Sequence, residues 1–298
     1  MNKLLKFTRV ILLVMTLSAI TVLGILIFLA WGYAFFLSHA GCLGTHISLA
    51  SRGYASEPVE FTTAGGYRLR GWFARGSRQP ETVIIVLPGM SGDTQMALAD
   101  SEILARAGYS TLAYEHRSCA DPALLHSGGY LEAGDLISAV QYLESRGDVR
   151  HIGVLGFSTG GTAALLAAAV TPRIEAVVEK GAPAHFLSDG QSGSGLANQF
   201  GNLYQALVLK FFAMQTGLSS GVTETVDVIG SLGPRPVLLI HGGNEATSGQ
   251  ILYAQAGDPK ELWIVPGAGH GEYQAVNPQE YANRIVSFFD RVFGVDHK

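Results

Sequence analysis

The 298-residue sequence predicts an α/β fold, a mostly parallel sheet with helices on both faces, preceded by one N-terminal transmembrane helix. Three observations carry this expectation. A long uncharged run lies near the N-terminus, short β-branched runs then alternate with longer helical patterns, and a Gly-Phe-Ser-Thr-Gly turn joins a strand to a helix.

The uncharged run is Val10 to Leu37, 28 residues without an acidic or basic side chain. As a helix rising about 1.5 Å per residue, it would more than cover a hydrocarbon core about 30 Å thick. It also explains why charged residues make up only 15% of the chain and mean hydropathy is +0.25. Lys3, Lys6 and Arg9 precede the run, whereas Arg52 is the first basic residue after it. The positive-inside rule therefore predicts a cytoplasmic segment 1–9, a signal anchor 10–37 and a domain on the extracytoplasmic side, periplasmic or extracellular in a bacterium. Trp31 and Tyr33 suit the far interface. A cleaved signal peptide, with "SHA" before Gly41, and a lipoprotein signal ending at Cys42 are the competing readings. The length of the run favours the uncleaved anchor, because signal cores usually span about 7 to 15 residues.

The net charge of -4, with no basic run and no interleaving of aromatic and basic residues, argues against a nucleic-acid partner. Two cysteines, Cys42 and Cys119, are too few for a disulfide scaffold; pairing and two separate thiols both remain open.

A linker over residues 38–56 leads into a single domain, 57–298, large enough for one sizeable core. "VEFTTAGGYRLRGWFA" reads as a hairpin turning at Gly65 and Gly66, and "TVIIVLPG" as a strand buried on both faces. A helix from about Thr94 to Ala107, the strand "YSTLAYEH" and the helix "YLEAGDLISAVQYLES" follow. "HIGVLGF" is the strand before Ser158, and "TAALLAAAV" the alanine-rich helix after it. "IEAVVEKG" is another strand, after which residues 184–230 break the pattern. The alternation resumes with the strand "PVLLIHGG", a helix near 248–256, the strand "ELWIVPG" and a final helix from about Pro278 to Phe293.

A serine hydroxyl becomes a useful nucleophile only when a base can accept its proton and a third group orients that base. "GFSTGG" supplies the sharp strand-to-helix turn that would raise Ser158 above the sheet. Gly156, Gly160 and Gly161 let strand and helix approach, and the helix N-terminus favours developing negative charge.

"VIIVLPGMSGD", "VLGFSTGG", "PVLLIHGGNE" and "VPGAGHGEY" together resemble the sequential landmarks of the alpha/beta-hydrolase fold, from about residue 57 to the end. With the N-terminal anchor and "VEFTTAGGYRLRGWFA", the chain is similar to membrane-anchored members grouped with serine aminopeptidase-like and monoacylglycerol-lipase-like hydrolases. The resemblance implies a triad in the chain order serine, acid, histidine. His270, after the last strand, takes the histidine place. Glu245, four residues after His241, takes the acid place where relatives more often carry aspartate, and Asp258 is its nearest rival. His241 reads as a structural histidine, and His116, His126 and His185 lie in loops that could reach the site, but none fits the family order. The oxyanion hole would draw on the backbone N–H groups of Met90 and Thr159, with Pro88 standing where relatives often have histidine. Asp135 reads as a helix-start acid, and Arg117 as retained in a differently shaped loop.

Within 184–230, Leu203, Leu207, Phe211 and Met214 recur at helical spacing beside a second apolar line of Tyr204, Val208 and Phe212. This insertion is expected to cap the site, either as a lid meeting acyl chains or the membrane or as ordinary packing. The function expected is a membrane-anchored serine hydrolase acting on a carboxylester or lipid-like acyl ester, with no metal or cofactor. A peptidase or acyltransferase using the same triad, and a non-catalytic binding protein of the same fold, are the alternatives.

Overall fold

The computed structural model describes residues 2–41, 47–90, 92, 94–186, 196–218 and 222–294. Its strands are β1 (Glu57–Thr62), β2 (Arg68–Ala74), β3 (Gln79–Leu87), β4 (Tyr109–Tyr114), β5 (His151–Phe157), β6 (Ala176–Lys180), β7 (Val237–Gly242) and β8 (Lys260–Val265). The longer helices are α1 (Asn2–Ser38), α2 (Leu98–Ala107), α4 (Tyr130–Ser145), α5 (Thr159–Val170), α6 (Leu196–Thr216), α8 (Ala246–Gln255) and α10 (Pro278–Phe293). Three single-turn helices complete the set: α3 (Arg117–Ala120), α7 (Thr225–Val228) and α9 (Tyr273–Val276).

The strands form one eight-stranded sheet in the order β1-β2-β4-β3-β5-β6-β7-β8. β1, β2 and β4 pair antiparallel, and every pair from β4 to β8 is parallel. The expected hairpin turns at Gly66, whose φ of 82° is costly for any residue with a Cβ. Strand pleating sorts the core into two layers. Val83, Ile85, Val154 and Leu239 face Leu136, Leu143 and Leu165 on α4 and α5. Ile84, Val86, Leu155 and Ile240 face Leu104 of α2 and Ile285 and Phe289 of α10. These parallel strands read as continuous apolar runs because both faces are covered.

The winding reverses between β3 and β5. The chain passes from β3 to β4 on one side and then crosses to β5 on the other. Open α/β sheets gather their ligands outside the carboxyl ends of the strands at such a switch.

α2 starts at Leu98 rather than near Thr94. The Thr94 hydroxyl donates to the Ile47 carbonyl (3.0 Å) and holds the preceding turn out of the helix. Part of the expected linker is packed: Leu49 is fully buried, and Ser118 Oγ donates to the Ala40 carbonyl at 3.3 Å. Cys119 is disulfide-bonded, and Cys42, the chain's other cysteine, lies outside the described residues.

The chain divides into two compact units, one holding α1 and α6 and the other holding the sheet with its remaining helices. Among the described helices, α1 alone is long and apolar enough to cross a membrane, over Leu5–Ser38. The expected insertion 184–230 is divided between the units: α6 packs on α1, and α7 packs on α5 and α8.

Candidate active site

The Ser158 turn is built by backbone crowding. Ser158 follows β5 directly and caps α5 with φ 54° and ψ -118°, and among described residues it is the one non-glycine with positive φ. Such a conformation costs of order 1–3 kcal/mol and persists only where its surroundings impose it. Here they do. The Ser158 N–H donates to the Lys180 carbonyl at 2.7 Å, tying the turn to the end of β6. A Cβ on Gly156 would fall 2.3 Å from the Gly160 carbonyl oxygen, and one on Gly160 would fall 2.4 Å from that of Pro88. Neither position can hold a larger residue while the turn keeps this shape.

His270 lies in the loop after β8, between Gly269 and Gly271. Its Nε2 is 3.0 Å from Ser158 Oγ and its Nδ1 is 2.6 Å from Glu245 Oε2. Glu245 ends the short 3-10 turn Gly243–Glu245 after β7. Its other oxygen, Oε1, accepts the Gly242 N–H at 2.9 Å and the Tyr273 hydroxyl. Burial alone would raise the Glu245 pKa, but donation by His270, Gly242 and Tyr273 outweighs it and lowers the value to about 2. Burial, reinforced by the neighbouring carboxylate, pushes the Tyr273 hydroxyl up, so it remains a donor. The Phe157 ring packs against the imidazole with centroids 5.0 Å apart. Asp258 lies in the turn before β8, at the opposite end of that strand from His270.

The two expected oxyanion donors also belong to this neighbourhood. Thr159 is buried and opens α5, and Met90 follows Gly89 in the loop after β3. Two buried histidines brace these places. His116 Nε2 donates toward the Gly89 carbonyl (2.9 Å) and the Pro88 carbonyl (3.2 Å). His126 accepts the Gly128 N–H at Nδ1 (3.1 Å), so its Nε2 carries the proton directed at Thr159 Oγ1 (3.3 Å). The rings meet edge to face, 5.2 Å between centroids. Burial lowers the His126 pKa to about 4, which leaves the ring neutral at pH 7. Glu132 closes the cluster by accepting the N–H groups of Ser127 and Gly129 at 3.0 Å and the Ser127 hydroxyl. Burial opposes its charge, yet His126, His116 and the serine hydroxyl hold its pKa at about 2. His116, His126 and Glu132 lie close enough together to be read as metal ligands. Both Glu132 oxygens and His126 Nδ1 accept hydrogen bonds from the chain.

In the sequence, His116 and His126 stand outside the triad order and carry no other assignable role. Their signal was available in residue type, two histidines in loops after a strand bordering the site, but burial was needed to assign it. Lys180 carried no such signal. It lies buried at the end of β6, with its ammonium paired to Asp100, hydrogen-bonded to Tyr281 at 2.6 Å and 5.6 Å from the Phe157 ring centroid. His241 is fully buried against Glu179 (3.0 Å); burial opposes its protonation but the Glu179 and Glu245 charges raise its pKa. Asp135 accepts a two-pronged bond from Arg117, 2.9 Å on each arm.

No family model matches the chain. It is 26% identical over 283 residues to the uncharacterized protein Rv2307c of Mycobacterium tuberculosis, covering 92% of this chain and 93% of that one. A shorter match, 38% identical over 81 residues, links it to the uncharacterized protein PA2218 of Pseudomonas aeruginosa; it spans 26% of this chain and 22% of that relative's length. Among solved structures, the Pyrococcus furiosus esterase Pf2001 superposes with a TM-score of 0.67 at 21% identity, covering 84% of this chain and 98% of the esterase. The sheet order, the strand-to-helix turn at Ser158 and this superposition agree: the chain has the alpha/beta-hydrolase fold.

Proposed function

We propose that the protein is a membrane-anchored serine hydrolase that cleaves a carboxylester or lipid-like acyl ester through an acyl-enzyme on Ser158. The observation that carries this reading is the array in which one imidazole meets Ser158 Oγ at 3.0 Å and Glu245 at 2.6 Å. His270 takes the hydroxyl proton as Oγ attacks the ester carbonyl carbon, then delivers it to the departing alcohol as the C–O bond breaks. A water, deprotonated by the same nitrogen, attacks the acyl-enzyme, releases the carboxylic acid and restores Ser158. Glu245 stays a carboxylate throughout and stabilises the imidazolium. The N–H groups of Met90 and Thr159 receive the oxyanion, helped by the N-terminal dipole of α5. His116 and His126 are positioning residues that hold the two donor segments.

The His270 side chain is 46% exposed, so water can reach the acyl-enzyme, which favours hydrolysis over transfer to another acceptor. The ester assignment draws on the likeness to an esterase and on the apolar character of α1 and α6. In this reading residues 1–9 are cytoplasmic, 10–37 anchor the chain, and 57–298 form the hydrolase domain across the membrane. A fluorophosphonate probe tests the nucleophile. Labelling is expected for the wild type, with none for Ser158→Ala and a severe loss for His270→Ala. A folded wild type that resists the probe would overturn the proposal.

A further inference from the structure

The N-terminal helix is not alone in its unit. On α1, Ala30, Ala34 and Ser38 recur every fourth residue and are fully buried, a seam of small side chains that lets another backbone come close. On α6, Val208, Phe212 and Thr216 recur at the same interval and are buried as well. The two helices pack together and meet at their C-terminal ends. There Gln215 accepts the Ser38 hydroxyl at 2.8 Å and donates to the Trp31 carbonyl at 3.4 Å. Side-chain amides that bridge helices in this way are characteristic of contacts made where water is scarce.

α6 also has a second apolar face that no described residue of its unit covers. Phe200, Leu203 and Met214 are 66%, 55% and 68% exposed, and they share one side of the helix with Leu207 and Lys210. Lys210 is the single charged residue in the helix. α1 exposes Trp31, Tyr33, Phe35 and Phe36 over the same turns that α6 accompanies. Monomeric soluble proteins rarely carry so large an apolar surface, and a solvent that suits α1 suits its neighbour.

We propose that α6 is a second membrane element, lying in the interfacial layer beside the last turns of α1 with its Phe200, Leu203 and Met214 face among phospholipid acyl chains. This rests on reading α1 as a membrane span. Trp31 and Tyr33 set the depth, since such rings gather at the headgroup level. α6 does not cross the bilayer: Asn202, Gln205 and Gln215 interrupt it, and it lacks the apolar length that α1 has. It fits the interfacial class instead, and the long stem of Lys210 lets its ammonium reach the headgroups.

The test uses the full-length chain in vesicles of phosphatidylcholine and phosphatidylglycerol doped with a phosphatidylcholine carrying a photoactivatable diazirine on its acyl chain. After irradiation, adducts are mapped by peptide mass spectrometry, and fluorophosphonate labelling of Ser158 in the same sample reports the hydrolase site separately. Adducts are expected on α1 and also on α6 at Phe200, Leu203 or Met214. A Leu203→Glu, Met214→Glu double variant should lose the α6 adducts and keep those on α1. Labelling of α1 with an unlabelled α6 would overturn this inference and leave the anchor standing. Labelling of neither helix would overturn the anchor and the inference together. Cross-links from α6 to a second copy in place of lipid would overturn it in favour of self-association.

Discussion

Ser158 holds a backbone conformation that an L-residue adopts only under constraint, and the constraint comes from its neighbours rather than from its hydroxyl. Ser158→Ala should therefore fold with little change in stability while losing the probe reaction. Glu245 offers a second prediction. Glu245→Gln keeps the shape but removes the charge that faces the imidazolium, and kcat for a nitrophenyl ester should fall on the order of 1,000-fold or more. Its titration has a definite sign. The folded pKa lies below the ordinary 4.5, so the stabilisation by this carboxylate is complete above that value and is lost as pH falls toward about 2. The difference in thermal midpoint between wild type and Glu245→Gln should accordingly be largest at neutral pH and shrink through the acid range. His116→Phe should lower kcat on the order of 10-fold with KM nearly unchanged, less than the roughly 100 to 1,000-fold cost of deleting an oxyanion donor outright. An equal loss in a KM-only pattern would remove His116 from the positioning role. Ser158, Glu245 and His270 could be picked from the sequence because chain order and flanking strands constrain them. His116 and His126 could not, because what matters is their burial against carbonyls and a hydroxyl contributed by distant segments.

At the scale of elements, the β5 to α5 junction depends on missing side chains. Gly160→Ala would force a methyl group against the Pro88 carbonyl and the Leu87 side chain, and urea unfolding should show a loss of about 1–3 kcal/mol. The strands were legible because parallel strands covered on both faces leave unbroken apolar runs, as "TVIIVL" and "VLLI" do. The final helix was legible from its proline start and its periodicity, and its observed bounds match the expected ones. Helix ends elsewhere were less so: the start of α2 is displaced by a hydroxyl bonded to a carbonyl 47 residues earlier. The helix α6 shows the same limit more sharply. Its two apolar lines are plain in the sequence, yet periodicity says which faces avoid water and says nothing of what meets them. Its partner is α1, separated from it by more than 150 residues of chain.

For the molecule as a whole, the alternation of strands and helices and the order of the landmarks were enough to anticipate the sheet, because few topologies place the Ser158 turn, the Glu245 loop and the His270 loop after three parallel strands of one sheet, here β5, β7 and β8. The buried Lys180, Asp100 and Tyr281 set was invisible at that level, since it joins β6, α2 and α10 across the core. The proposed orientation leads to a direct expectation. Protease added to spheroplasts of a bacterial host should digest the domain, while residues 1–9 stay protected until the membrane is opened; full protection of the domain would reverse the topology.

The bond at Cys119 adds something that neither charge bias nor hydropathy supplies. Disulfides form and persist in oxidising compartments and are rare in the cytosol. In the proposed orientation, the state of this one sulfur atom would record the side of the membrane on which the domain matured. A population of chains delivered the wrong way round would keep that thiol free and alkylatable, and could be counted without breaking a single cell compartment apart.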